Sequence, residues 1–381
     1  MTASSPGPRV ALVIFRLAPA GGLEQHCLRL AQALVQRGCA VTLVTTRAPA
    51  DGAPPGLGLE LIAPRGLTNH GRLAAFARDA ARAVAGRFDL TAAFHAIPGF
   101  EVIFCADPSR ARPPPPRGWL PRYRAYARLE RRAFGHGLRL ALLLSSAQRA
   151  AFLRNTGAPP EKLVLLPPTV DRLRADSSLA SPGARAAARR GLGLDQRAPV
   201  WLWMGLQPKT KGLDRVLRAQ AASPDARLIV CGLDPAGRAG VPMVRQARRL
   251  GLSDRVLWLG FAPDDGVRQA LAAADLLVHP SRADVTGTVI LEAMAAGVPV
   301  ITAAVCGYGE HVAKADAGVV LSEPFRDADL SAALARATPE LLQRWSSHAL
   351  AYTARDELFS GVERAADLIA EGARAGSRGP V

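Results

Sequence analysis

The sequence is poor in lysine and cysteine, and it has no long apolar run. Only four of its 48 basic side chains are lysines. Its five cysteines are scattered and form no Cys-x-x-Cys pair, which argues against a disulfide framework or a structural zinc site and favours a reduced, cytoplasmic protein. No eighteen consecutive residues are apolar and uncharged, so no membrane-spanning helix is expected. Residues 1–15 lack a basic n-region and are interpreted as leading into a first strand, not as a signal peptide.

Acidic residues are too few to balance the basic ones. The chain has 48 Lys and Arg against 32 Asp and Glu, a formal net charge of +16. Residues 1–168 hold 22 basic and 9 acidic side chains, net +13, whereas residues 169–381 have a net charge of only +3. Such a charge predicts an anionic partner, which is nucleic acid, a membrane surface or a phosphorylated substrate. No groove-entering element or aromatic stacking platform is recognisable, so we expect no nucleic-acid partner.

Strands and helices alternate along the chain. Two β-branched apolar runs, Val10–Phe15 and Val41–Thr45, flank a helical pattern and form a βαβ unit, which implies a parallel sheet. A second series of such units begins at Val200. Its predicted strands are Val200–Met204, Leu228–Cys231, Val256–Leu259, Leu276–His279 and Val298–Thr302.

This pattern predicts an α/β protein with two Rossmann-like domains, whose parallel sheets face each other across a cleft. A chain of 381 residues accommodates two domains of ordinary size. We place the first domain at residues 1–170 and the second at residues 171–355. We expect a C-terminal amphipathic helix, residues 356–372, to pack back on the first domain, and residues 373–381 to be disordered.

The segment from Arg110 to Arg139 has an unusual composition. It contains nine basic residues, interleaved aromatic residues and a single acid, Glu130. A basic helix with aromatic residues is suited to an anionic membrane surface. The alternative is a solvated basic helix that packs its aromatic residues on the core. The candidate membrane-surface residues are Arg117, Arg122, Arg124, Arg128, Arg131 and Arg132.

Candidate ligand-binding carboxylates lie in the second domain. Asp284 follows the strand that ends at His279, and Glu292 lies eight residues later, one turn into a helix that begins near Gly287. The free N–H groups at such a helix start suit a diphosphate. Carboxylates accept hydrogen bonds from sugar hydroxyls. The alternative is that Glu292 only neutralises the start of the helix.

Two further loops follow predicted strands. The loop Met204–Gly212 contains Lys209 and Lys211, which are half of the chain's lysines and are suited to phosphate oxygens. The alternative is a pair of solvated lysines. Gly21 and Gly22 occupy the matching loop of the first domain, where glycines let the backbone approach a ligand. Neither a GxGxxG run after a strand nor a GxxxxGK[ST] run is present, which disfavours dinucleotide and P-loop interpretations.

These segments resemble a known enzyme family. The Asp284–Glu292 spacing is similar to the E-x7-E signature of retaining GT-B glycosyltransferases of family 4, and the Lys211-Gly212 and Gly21-Gly22 loops are similar to that family's phosphate and glycine loops. Nearly the whole chain also resembles, in order, family members that add glucose to the inner-core heptose of lipopolysaccharide. The segments that carry this likeness are Thr68–Arg72, Ile97–Asp107, Arg122–Tyr126, Leu166–Pro168 and Ala304–Tyr308.

The resemblance implies a UDP-glucose donor, a lipopolysaccharide inner-core acceptor, and a cytoplasmic enzyme attached peripherally to the anionic inner membrane. It implies that Glu292 binds the ribose and Asp284 the transferred sugar. The diphosphate is expected at Lys211 and at the amides around Gly287 and Thr288. Asp107 is expected at the acceptor side of the reaction centre. The expected acceptor-binding residues are Asn69, His70 and Arg72.

The sequence departs from the family pattern at two positions. The first acid of E-x7-E is an aspartate, Asp284, and Thr210 stands where an arginine is expected, so Lys209 is our candidate for the second positive charge. We identify no Asp-x-Asp cluster to hold Mg²⁺ beside the diphosphate, so no metal cofactor is expected. The alternative functions are a mannosyl- or galactosyltransferase acting on another glycolipid or on a cell-envelope polysaccharide, and a membrane scaffold without activity.

Overall fold

A computed structural model describes residues 7–17, 22–48, 52, 54–112, 116–170, 174 and 176–377 of the chain, and it shows two compact units. The first unit comprises residues 1–168 and 360–381, and the second comprises residues 169–359. The boundary after Pro168 lies two residues before the position expected from the sequence.

The first unit contains a seven-stranded parallel sheet in the order β3-β2-β1-β4-β5-β6-β7. Its central strands are buried apolar runs, as is typical of parallel sheets covered by helices on both faces. The strands are β1 (Arg9–Val13), β2 (Ala40–Thr45), β3 (Gly58–Leu61), β4 (Leu90–Ala93), β5 (Val102–Cys105), β6 (Leu140–Leu143) and β7 (Leu163–Leu165). The helices are α1 (Gly22–Gln36), α2 (Asn69–Val84), α3 (Pro121–Ala133) and α4 (Ser146–Thr156), together with the last helix of the chain.

The second unit contains a six-stranded parallel sheet in the order β10-β9-β8-β11-β12-β13. Its strands are β8 (Val200–Met204), β9 (Arg227–Cys231), β10 (Val256–Gly260), β11 (Leu276–His279), β12 (Val300–Ala303) and β13 (Gly318–Leu321). Its helices are α5 (Pro182–Gly191), α6 (Leu213–Ala221), α7 (Val241–Arg249), α8 (Asp264–Ala273), α9 (Thr288–Ala295), α10 (Gly309–Ala315), α11 (Asp327–Ala335) and α12 (Pro339–Thr353).

The last helix, α13 (Gly361–Ser377), belongs to the first unit and packs against α1. The Arg37 guanidinium of the α1 C-terminus lies 2.7 Å from carboxylate oxygens of both Glu363 and Asp367. The expected helix at 356–372 is wrong at both ends, because residues 356–359 form a 3-10 turn and the helix continues to Ser377. The expected disorder is therefore wrong for residues 373–377, since Ala373 is fully buried; residues 378–381 lie outside the described residues.

Candidate functional site

The two loops that carry the predicted site residues of the second unit lie at the carboxyl end of its parallel strands. Strands β8 and β11 are hydrogen-bonded neighbours and run parallel, so the loops after Met204 and after His279 leave the sheet side by side. In α/β proteins, ligands bind at the carboxyl ends of the parallel strands. This geometry brings Lys211 and Asp284, which are 73 positions apart in sequence, into contact.

Lys211, Asp284 and His279 form a compact charged cluster. The Lys211 Nζ lies 2.6 Å from Asp284 Oδ2, and His279 Nε2 lies 3.0 Å from the same oxygen. The side chain of Asp284 is 9% exposed and that of His279 is 1% exposed, whereas that of Lys211 is 25% exposed. The lysine therefore joins a buried carboxylate to a surface that a ligand can reach.

The charge of Asp284 is fixed by these neighbours. Burial by itself raises the pKa of a carboxyl group. The hydrogen bond with His279 and the positive charge of Lys211 outweigh that effect, and they lower the pKa of Asp284 from 3.8 to about 2. The carboxylate is thus ionised at neutral pH and acts only as a hydrogen-bond acceptor. A sugar hydroxyl is a suitable donor to such a group.

The backbone of the lysine loop is held on both sides. The Trp203 indole Nε1–H donates to the Lys211 carbonyl at 3.0 Å, and the Ser281 hydroxyl donates to the Thr210 carbonyl at 2.9 Å. Gly212 has a φ of +76°, and a Cβ there would lie only 2.1 Å from a neighbouring carbonyl oxygen. Glycine is therefore required at this position, and the loop presents Lys211 in one orientation.

Helix α9 begins after the loop that follows β11, and it carries Glu292, the second predicted carboxylate. Gly287 caps it with a φ of +79°, and a Cβ there would crowd the Ile290 side chain at 2.9 Å. Thr288 opens the helix, whose first N–H groups have no partner within the helix itself. Glu292 is buried on the same helix, and the Arg174 guanidinium lies 3.9 Å from its carboxylate.

Lys209, which we expected to supply a second positive charge, is exposed, and its carbonyl oxygen accepts a hydrogen bond from the Arg282 guanidinium. Arg282 also pairs with Asp214 at 2.7 Å, so its own charge is largely compensated. The structure thus brings Lys211, but not the ammonium of Lys209, into contact with Asp284.

Possible metal ligands also occur in this region. One nitrogen of His279, one oxygen of Asp284 and the Cys306 sulfur lie within 4.8 Å of one another. Lys211 already neutralises Asp284, and burial raises the pKa of the Cys306 thiol to about 11. The donor set therefore fits a metal ion poorly at neutral pH.

The one Asp-x-Asp run, Asp327–Asp329, lies on α11 outside this site, with its carboxylates paired to Arg218 and Arg326.

A second cluster lies in the first unit, in a pocket behind the carboxyl end of β5. Asp107 follows this strand and pairs with Arg110 at 3.1 Å. The Arg110 guanidinium stacks 5.0 Å above the ring of Tyr126 on α3, and the ring of His70 lies 6.3 Å from that of Tyr126. Burial lowers the pKa of His95, which also lines the pocket, to about 4, although the charge of Asp107 opposes this shift.

The other predicted residues of the first unit lie around this cluster or at the neighbouring glycine loop. Asn69 is the exposed first residue of α2, and Arg72 donates to the Gly66 carbonyl at 2.9 Å. Gly22 is the first residue of α1, and a Cβ there would enter open space among the described residues. Gly21 lies outside the described residues.

Helix α3 presents its arginines to solvent, as the sequence predicts. Only Ala127, Glu130 and Ala133 of this helix are buried. Just before it, Trp119 is 77% exposed and Leu120 is 50% exposed, whereas Phe134, just after it, packs in the core, so both interpretations of this segment keep some support. Among the described helices, none combines the length and apolarity needed to cross a bilayer. The exposed arginines are Arg117, Arg122, Arg124, Arg128, Arg131 and Arg132.

Sequence reasoning missed the side chains that hold these sites together. His279 was seen only as the last residue of a strand, although its ring contacts Asp284. Trp203, Arg174 and Arg110 were given no role, yet each contacts a predicted site residue or its backbone. The signal for His279 was its position at a strand's carboxyl end. Arg110 lies only three residues after Asp107 and Trp203 eight residues before Lys211, so both contacts are local in sequence, whereas the contact of Arg174 with Glu292 depends on folding over distance.

Comparisons with known proteins identify the family. A model described as Glycosyltransferase Family 4 matches residues 20–174, and one described as Glycosyl transferases group 1 matches residues 184–351. The lipopolysaccharide glucosyltransferase WaaG of Escherichia coli strain K12 is 32% identical over 379 residues, which is 95% of this chain and 99% of that protein. The chain belongs to glycosyltransferase family 4. It is therefore a hexosyltransferase, as the sequence predicts.

Solved structures of family 4 and related enzymes share the fold. A crystal structure of WaaG, a glycosyltransferase involved in lipopolysaccharide biosynthesis, matches with a TM-score of 0.84 at 31% identity, over 94% of this chain and 99% of that chain. Anabaena Alr3699/HepE in complex with UDP-glucose matches with a TM-score of 0.71 at 21% identity, over 96% and 99% respectively. The second likeness shows the fold alone. The predicted GT-B class is confirmed.

Proposed function

We propose that this enzyme transfers glucose from UDP-glucose to an inner-core heptose of a lipopolysaccharide precursor, with retention of the anomeric configuration. The observation that carries the proposal is the Lys211–Asp284 pair, 2.6 Å apart in the loops that follow β8 and β11, with Glu292 on the helix that begins after the second loop. The similarity to WaaG over nearly the full length of both chains supports the choice of donor and acceptor.

In this proposal, the second unit binds the donor. Lys211 contacts the diphosphate through its exposed face, and the first N–H groups of α9, after Gly287, donate to the phosphate oxygens. Asp284 accepts from the hydroxyls of the transferred glucose, and Glu292 accepts from the ribose. Gly22 in the first unit has no side chain, and a Cβ there would meet none of the described residues, so its backbone is open to a ligand.

Departure of the diphosphate creates negative charge, which Lys211 and the α9 amides are placed to stabilise. We propose that no metal ion is needed for this step, and that the acceptor hydroxyl attacks from the face that the diphosphate leaves, without a covalent intermediate. Activity should then persist in EDTA. A trapped glycosyl-enzyme at Asp107 or Asp284, or activity lost to EDTA and restored by Mg²⁺ or Mn²⁺, would refute this mechanism.

The pocket of the first unit is assigned to the acceptor. Asp107 is exposed beside Arg110. The ring of His70 contacts the ring of Tyr126, on which Arg110 stacks. We propose that Asp107 contacts the acceptor hydroxyl, and that Asn69, His70 and Arg72 bind the surrounding sugars. Neutral His95 leaves the negative charge of Asp107 to be balanced by Arg110.

We also propose that α3 binds the anionic surface of the inner membrane, which makes the enzyme a peripheral protein of its cytoplasmic face. The support is the exposed arginine surface beside Trp119 and Leu120. Arg122, Arg124 and Arg128 changed together to alanine should weaken binding to anionic liposomes and leave donor hydrolysis unchanged. The matched control changes three exposed arginines of α7, Arg245, Arg248 and Arg249. Equal binding by both triple variants would contradict the proposal.

The experiment that tests the donor assignment is a panel of nucleotide sugars offered to the wild-type enzyme and to Lys211→Ala. UDP-glucose should be hydrolysed or transferred fastest, and Lys211→Ala should raise the donor KM or lower kcat by about 100-fold, in line with loss of an electrostatic group at a leaving group. A preference for a mannosyl or galactosyl donor would support the alternative hexosyltransferase. If Lys211→Ala kept the donor KM and kcat of the wild type, Lys211 would not be a diphosphate-binding residue.

A further inference from the structure

Glu130 is the single acid in the basic segment 110–139, and its position in the fold is unlike that of its neighbours. It lies on α3, and it is 3% exposed while the arginines around it face solvent. A buried carboxylate is costly unless hydrogen-bond donors surround it. Its partners therefore show what the residue does.

Three donors from one loop converge on Glu130. The Ser109 hydroxyl donates to Oε1 at 2.5 Å, the Arg110 backbone N–H donates to Oε2 at 2.6 Å, and the Ala111 N–H donates to Oε1 at 3.1 Å. Burial raises the pKa of Glu130, and these three hydrogen bonds oppose that rise. The Asn155 side chain on α4 adds a fourth bond, from its amide to the Ser109 hydroxyl at 3.1 Å.

The loop held in this way carries the proposed acceptor residues. Arg110 pairs with Asp107 at 3.1 Å and stacks on Tyr126, which lies on the same helix as Glu130. On its other side, the loop is held by Gln148, whose amide donates to the carbonyls of Cys105 and Asp107 at 2.8 and 2.9 Å. Helix α3 and the segment 107–111 are therefore joined at several points within one unit.

We propose that Glu130 is a positioning residue for the transfer reaction, which fixes the loop 107–111 on α3 and so sets where Asp107 and Arg110 face the acceptor. This inference rests on the proposed function, because it assigns Asp107 and Arg110 to acceptor binding. It also means that the surface proposed to bind the membrane and the loop proposed to bind the acceptor keep a fixed relation to each other.

The test is Glu130→Gln in the full chain, compared with Glu161→Gln, an exposed acid of the same unit. The glutamine amide has the same shape, but its NH₂ group opposes one of the three donors, so the loop shifts. Misplacement of reacting groups by about 1 Å costs about 100-fold in rate. We expect kcat for the acceptor to fall about 10- to 100-fold, with donor hydrolysis, donor KM and binding to phosphatidylglycerol vesicles unchanged. Glu161→Gln should match the wild type in all four.

Equal acceptor turnover by Glu130→Gln and the wild type would overturn the inference. So would an equal fall in donor hydrolysis and acceptor transfer, since that marks a general structural defect. If Glu130→Gln does not fold, Ser109→Ala removes one of the three donors and should still lower acceptor turnover several-fold. Failure of the proposed function would be recognised separately, because the wild type itself would then transfer nothing to the heptose acceptor.

Discussion

The Lys211–Asp284 pair makes a quantitative prediction about stability. Replacing Lys211 with Met leaves the Asp284 carboxylate, which is 9% exposed, with His279 as its remaining close partner. The reverse change, Asp284→Asn, leaves an ammonium that is 25% exposed and can turn to water. The two single variants should therefore differ, with Lys211→Met the more destabilising.

The size of the effect follows from the pKa of Asp284. A fall from 3.8 to about 2 corresponds to about 2 kcal/mol of stabilisation of the ionised form in the folded state, at about 1.4 kcal/mol per pKa unit. We expect Lys211→Met to remove only part of this stabilisation, about 1 kcal/mol at pH 7, because the hydrogen bond with His279, the largest cause that lowers the pKa, remains. Asp284→Asn should cost less than Lys211→Met. The double variant should be more stable than Lys211→Met, because no buried charge remains uncompensated.

Tryptophan fluorescence during urea unfolding is a suitable assay. Four of the five tryptophans, Trp201, Trp203, Trp258 and Trp345, lie in the second unit, so the signal reports mainly on the unit that carries the pair. Effects that add to within about 0.5 kcal/mol would show that the two residues do not interact energetically. That result would refute the assignment of Lys211 as the counter-ion of Asp284.

Three other predictions concern the same two units. Gly212→Ala should abolish UDP binding measured by calorimetry, because its Cβ would collide with the Pro280 carbonyl at 2.1 Å and displace the lysine loop; unchanged affinity would contradict this. Arg37→Met should lose the 2.7 Å pair with Asp367 and speed amide exchange in α13, without faster exchange in the second unit. The pKa of Asp284 is lowered by folding, so its contribution to stability is complete above pH 3.8 and is lost as pH falls through about 2. The stability of Asp284→Asn should not show this fall at low pH. An equal loss of stability in acid by the variant and the wild type would contradict the prediction.

Strand positions in the second unit were predictable because parallel strands are short, apolar and bounded by loop residues. The predicted strands Val200–Met204 and Leu276–His279 match the structure at both ends. Helix α9 begins at Thr288, as expected from the glycine before it. Since repeated βαβ units make the strands parallel, the sequence also indicates that the loops after these strands lie at one end of the sheet. That β8 and β11 are neighbours is seen only in the structure.

Contacts between distant segments were not predictable in the same way. The sequence shows Glu130 only as the single acid of a basic segment, and its burial was not predictable because its three donors come from a loop about 20 residues earlier. The Ala- and Gly-rich end of the chain was expected to be disordered. It is helical to Ser377 because Ala373 packs in the core and the Arg374 guanidinium donates to the Arg37 carbonyl, neither of which local composition reveals.

The most direct test of the central claim is transfer of radiolabelled glucose from UDP-glucose to lipopolysaccharide whose core ends at the inner heptoses. We expect the wild type to form one α-linked glucose per acceptor, and Lys211→Ala to lose about 100-fold or more of this activity. No transfer to this acceptor, a β-linked product, or full activity of Lys211→Ala would contradict it.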